Sequence, residues 1–253
     1  MADTMSIADY LARGGVLSNP ENVPPRYRAE LMRLMATFVD SEMAGSAGFA
    51  DIINEAPGIA ERIAAARIVL EKADHAGRVL AVMAEFGADT AKYATHQPWT
   101  ARLARDADIG PTRSGGDMRL SVFHYPLEGW LDAVVMNVLM GRAVTVQLAE
   151  FSRVSYQPLA EAFRAILPVE TRHAELGEEG LRKLLEDGAL EAAQASVDYW
   201  WPRVAASFGA ADSTRLDQQR DFGLRHRSNA ELLADWRADT AALLAEMGLR
   251  APG

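Results

Sequence analysis

Glu170 and His173 stand three residues apart in an apolar run from Leu159 to Leu185, whose helical stripe reads Phe163, Ile166, Glu170, His173 and Leu176. A carboxylate and an imidazole on a face otherwise made of core residues are costly to bury without a partner. A metal ion is the usual partner; ionisable groups on another helix are the plainer one. Three further stretches carry the same anomaly. Leu31, Met35 and Phe38 lead into Glu42, Ala65 and Ile68 lead into Lys72 and His75 before Val79 and Val82, and Asp132 precedes Val135, Met136 and Leu139. Four helices that each bring an ionisable group to an apolar face match a carboxylate-bridged metal centre in a four-helix bundle, where two helices give single carboxylates and two give Glu-x-x-His pairs.

The elements that must hold these groups are helices. Pro25 is placed to open the first long one, predicted to reach about Gly45, and the stretch from Gly45 to Pro57 reads as a connection with its own apolar residues. A second helix is expected from about Gly58 to Phe86, stopped by Gly87, a third from about Leu127 to Phe151, and a fourth from about Gln157 to Leu185. Gly141, inside the third, costs stability unless another backbone packs close to it. Between Gly87 and Pro126 the periodicity weakens over a span too long for a bundle turn, which suggests a lid or a partner-binding loop. His96 and His124 in that span are candidate ligands whose ordinary reading is surface histidine. After Gly188 a helix carries Leu190, Ala193, Val197 and Trp200-Trp201 up to Pro202, the tryptophans being core or interface anchors. Gly209 to Arg227 reads as a polar loop, and Ser228 with Glu231 forms a capping box for a last amphipathic helix. The expectation is an all-α fold, with residues 1–24 an N-terminal arm and 25–253 a single helical domain.

Composition narrows the classes of function. Nearly half of the 253 residues are hydrophobic, enough for one large core, and the absence of cysteine excludes disulfides and thiolate ligands. The net charge of −9 argues against a nucleic-acid partner. Without a basic-then-apolar leader pattern or an apolar run of about 18 residues, a cytoplasmic protein with no membrane partner is the expectation.

At Ser41-Glu42-Met43, Ala73-Asp74-His75, Ser121 to Pro126, Trp130-Leu131-Asp132, Ser155 to Pro158, Glu170 to His173 and Trp200-Trp201-Pro202, the chain resembles the phenylacetyl-CoA epoxidase family, and within it the catalytic component. The likeness runs from about Pro24 to Pro252. It implies a ferritin-like four-helix bundle with additional C-terminal helices, and a diiron monooxygenase that inserts oxygen from O2 into an organic substrate such as an aromatic acyl-CoA thioester. A separate reductase and a homo- or hetero-oligomeric assembly are implied as well. Carried over position by position, the family's iron ligands fall on Glu42, His75, Asp132, Glu170 and His173. The sixth position departs, because Lys72 stands where the family has a glutamate.

Lysine changes the charge balance. Three carboxylates and an ammonium sum to −2, which one divalent ion, or none, balances better than two. Lys72 then has three readings: a catalytic group modifying the centre, deprotonated beside a metal; a substituted position whose lost bridge Glu71 or Asp74 replaces; or a bridge between Glu42 and Glu170 that closes the site to metal. The first two belong to an iron-dependent oxygenase, which is the expectation because five of the six ligand positions are retained, and the third to the alternative, a metal-free subunit that scaffolds an oxygenase partner.

Overall fold

The computed structural model of the protein describes residues 5–95, 98–211 and 213–252. Its elements are α1 (Ile7–Ala12), α2 (Pro25–Ile52), α3 (Ile59–Glu85), α4 (Lys92–Thr95), α5 (Trp130–Phe151), α6 (Gln157–Glu186), α7 (Leu190–Ala206), α8 (Leu216–Asp221) and α9 (Asn229–Glu246), with no strand among the described residues. Prolines sit in the first turn of α2 and α6, where the missing N–H is not needed. Gly87 and Gly188, at φ 74° and 89°, turn the chain out of α3 and α6 in the left-handed conformation that glycine adopts without strain. Ser228 and Glu231 form the expected capping box at α9.

Four helices close a ring in which α2 packs on α3, α3 on α6, α6 on α5, and α5 more lightly on α2. This is the expected all-α, ferritin-like bundle. Two glycines let α5 and α6 approach each other: a Cβ on Gly141 would lie 3.1 Å from the Ala174 Cα, and one on Gly177 would lie 2.7 Å from Asn137 Nδ2. The loss of helix propensity at Gly141 is thus offset by close backbone packing. Outside the ring, α7 and α9 cover α5, with Trp200 and Trp236 fully buried and the Trp236 indole donating to the Leu139 carbonyl at 3.0 Å. Trp201 packs on Trp236 with ring centroids 4.5 Å apart. Both members of the Trp200-Trp201 pair therefore belong to the core of this chain, not to an interface. α5 is long and apolar enough to cross a membrane, but 72% of its apolar window is buried inside the protein.

Several boundaries differ from the sequence expectation. α2 continues seven residues past Gly45 to Ile52, because Gly45 faces the Lys72 stem where a side chain would crowd, and Phe49 and Ile52 are buried beyond it. α7 runs through Pro202 to Ala206, held by the buried Val204 and Ala205, and α8 forms within the span read as a polar loop. The N-terminal arm is docked: the buried Leu17 accepts from Gln157 N at 2.8 Å.

Part of the span after α3 plugs the light α2–α5 contact, with Trp99, Val122 and Tyr125 buried and Arg119 donating to the carbonyls of Trp99 and Ala101 at 2.8 and 2.9 Å, while residues 111–113 and 115–116 are exposed. Gly177→Ala is expected to force Asn137 or the α5 backbone aside and to lower stability by ~1–3 kcal/mol in chemical denaturation, with the helical content unchanged.

Candidate functional site

Each ring helix except α5 brings an ionisable side chain to the bundle axis. Glu42 comes from α2, Lys72 and His75 from α3 at i and i+3, and Glu170 and His173 from α6 at the same spacing, and all five are buried. The Lys72 ammonium donates to Glu170 Oε1 and Oε2 at 2.9 and 3.0 Å and to Glu42 Oε1 at 3.3 Å. His75 Nδ1 lies 3.2 Å from Glu42 Oε2 and 3.0 Å from Glu170 Oε1. Two carboxylates are thereby laced together by one amine and one imidazole. A Cβ on Gly45 would sit 3.2 Å from Lys72 Cδ, so that glycine makes room for the lysine stem.

Burial opposes charge on every member, and the pairing decides the outcome. For Lys72, burial acts against the ammonium, but Glu170 and Glu42 outweigh it and hold the pKa above the usual lysine value. His75 is likewise pushed up, to about 9, its hydrogen bonds to Glu170 and Glu42 overcoming desolvation. Glu170 is desolvated too, yet Lys72, with help from His173 and His75, holds it well below the ordinary carboxylate range. Glu42 goes the other way, raised by burial and by the neighbouring Glu170. With both carboxylates ionised, an ammonium and an imidazolium balance them.

His173 turns outward from this knot. Its Nε2 lies 2.6 Å from Glu71 Oε2, a carboxylate whose side chain is 35% exposed, and its Nδ1 is 3.4 Å from Glu170 Oε1. Glu71 therefore reaches the site through His173, whereas Asp74 pairs with Arg78 on the surface at 2.7 Å.

Asp132 does not join the cluster. It sits in the first turn of α5 and takes Arg105 Nη1 and Nη2 at 2.7 and 2.9 Å, Ser196 Oγ at 2.7 Å, Trp200 Nε1 at 2.8 Å and the Glu128 N–H at 3.0 Å. Burial would raise its pKa, but this set of donors, led by Arg105, lowers it. Its place is set by helix geometry. Gly141 packs on Ala174 and Asn137 on Gly177, so α5 passes the level of His173 near Gly141, and Asp132 lies nine residues before it, ~13 Å along the axis. Of the loop histidines, His96 lies outside the described residues. His124 is buried beside Arg119, and its pKa falls to about 4, so it is a neutral core group and not a surface one.

Beside Lys72 and Glu170 lies a small cavity of about 30 Å³, lined from α5 by Met136, Asn137 and Met140. A larger cavity of about 540 Å³ has Glu42 in its wall, passing from the buried Phe123 to the exposed Arg33, Arg113 and Arg215. A volume of this order suits an organic ligand.

An all-α bundle with a buried carboxylate–imidazole centre defines the class of protein. The family follows from comparison: residues 5–253 match the model of the Phenylacetic acid catabolic protein family, and the chain belongs to it. It is 26% identical over 236 residues to the A component of the 1,2-phenylacetyl-CoA epoxidase of Escherichia coli (strain K12), covering 91% of this chain and 71% of that protein.

Iron, which the family implies, can be tested against these side chains. Ligand atoms of Glu42, His75 and Glu170 lie within 4.8 Å of one another and could hold one metal ion. The same oxygens are already bonded to the Lys72 ammonium and to His75, and α5 brings no carboxylate to the axis. The donor set as arranged does not fit two irons, and one ion would require Lys72 to leave its bonds.

Two outcomes follow for stability. Lys72→Met leaves His75 alone to match two buried carboxylates and is expected to cost ~3–5 kcal/mol in chemical denaturation. His75, whose folded pKa is raised, stabilises the fold fully below its unfolded value near ~6.5, and that contribution is lost as pH rises through about 9. The native protein should therefore lose stability between these limits, and His75→Gln should flatten that slope.

Proposed function

We propose that the chain serves a phenylacetyl-CoA epoxidase-type oxygenase system as a metal-free helical subunit, its bundle closed by Lys72 and not by iron. The observation that carries this reading is the Lys72 ammonium, bonded to both oxygens of Glu170 and to Glu42 at the axis. An ammonium there supplies the positive charge that would otherwise have to come from metal ions, and it does so without open coordination positions. The work of such a protein is to hold and orient a partner that carries out the oxidation, with a reductase as the electron source. Family membership and the likeness to an epoxidase component support the system to which it belongs.

A second reading has its own support. The cavity that reaches Glu42 is large enough for an organic molecule, and its exposed arginines suit an anionic one, which favours a substrate-binding oxygenase of the same system. In that reading Glu42, His75 and Glu170 would hold a single iron, supplying oxygen activation when bound, and Arg33, Arg113 and Arg215 would orient an acidic substrate such as an acyl-CoA thioester.

Anaerobic loading with Fe(II), desalting and elemental analysis separate the two. The metal-free subunit is expected to retain less than about 0.1 iron per chain, and Lys72→Glu to retain about one or more, because a third carboxylate then replaces the ammonium. Stoichiometric iron in the native chain would establish the second reading instead.

A further inference from the structure

The outer face of α3 is apolar at heptad spacing and faces solvent. Ile59, Ile63 and Leu70 are 79, 55 and 70% exposed, and the stripe continues through the exposed Ala66, Ala73, Gly77 and Ala84. Alternating steps of four and three residues are the seam of a helix that packs against another helix. Nothing among the described residues explains the glycine, since a Cβ on Gly77 would meet none of their atoms within 4 Å. A glycine inside a helix costs roughly 1 kcal/mol relative to alanine, so its smallness points to a partner.

We propose that this face is the twofold interface of a homodimer, in which α3 packs antiparallel against α3 of a second copy. A twofold contact demands that one surface complement itself. The stripe meets that demand at its ends and its centre, where a large residue faces a small one, and between them one pair is large on large and one small on small. With the axis at the middle of α3, Ile59 falls opposite Ala84, Leu70 opposite Ala73, and Ala66 opposite Gly77, while Ile63 meets the half-buried Leu80. Charge agrees with the same register. Arg67, which flanks the seam and has no ion-pair partner among the described residues, falls opposite Asp74 of the second copy, and the symmetry makes this contact twice. Asp74 is half exposed and already pairs with Arg78, leaving it open to a second cation.

The size of the contact is adequate. Half the circumference of an ~11 Å cylinder along the 27-residue helix gives roughly 700 Å² per partner, or ~1,400 Å² in total, within the range of specific stable interfaces. This proposal does not depend on whether the bundle axis holds a metal.

Sedimentation velocity on the full chain tests it. The native protein is expected to be a dimer at micromolar concentration. Arg67→Asp sets like charges face to face and should weaken association about tenfold or more, while Arg67→Asp with Asp74→Arg restores it. As all these positions are exposed, circular dichroism should be unchanged. The chain has no cysteine, so Ala66→Cys and Gly77→Cys variants, mixed and oxidised, should form a disulfide-linked dimer that neither forms alone. A native monomer would overturn the proposal and assign the face to a different protein. Dimers indifferent to Arg67→Asp, or not rescued by the double exchange, would also overturn it.

Discussion

A buried charge must be paired, and in this bundle the pairing is made by one lysine with one histidine beside it. Lys72 stands between Glu42 and Glu170, and the three helices that meet there can pack only if those carboxylates are matched. Much of the surrounding structure accommodates that contact. Gly45 clears space for the lysine stem, His75 supplies the second positive group, and the glycines of α5 and α6 bring Asn137 against the His173 carbonyl to hold the helix that carries Glu170.

The balance also bears on the metal chemistry that the family implies. Carboxylates and imidazoles become metal ligands when their lone pairs have no better partner. Here the same atoms face an ammonium and one another, and Asp132 is occupied by Arg105, Ser196 and Trp200. The large cavity stands apart from this closure, since only Glu42 joins it to the centre among the members of the knot. A space that could hold an organic ligand therefore coexists with an axis that is electrostatically filled.

The four bundle helices, the capping box at Ser228 and the inward stripes carrying Glu42, Lys72, His75, Glu170 and His173 were legible in the sequence because periodicity and helix-end chemistry are local. The place of Asp132 was not, for a definite reason. Its stripe and its aspartate look like those of a ligand helix, but axial level depends on how α5 slides against α6, which is fixed by Gly141 and Gly177 and carries no mark in the one-dimensional pattern. Arg105 and Trp200 were invisible as partners of Asp132, since they come from a plug segment without periodicity and from a helix outside the ring. The continuation of α2 past Gly45 was hidden for a similar reason, because a glycine that reads as a helix stop served there as a packing gap.

Closure of the bundle stands or falls with the charge on Lys72, and nitrogen NMR of the lysine side chains reports that charge directly. With Lys72 assigned through a Lys72→Met control, its Nζ should show an ammonium shift and slowly exchanging protons throughout the neutral range, losing no proton before the fold itself is lost at high pH. A neutral amine at pH 7, or an ammonium exchanging as fast as those on the surface, would mean that the lysine does not close the bundle.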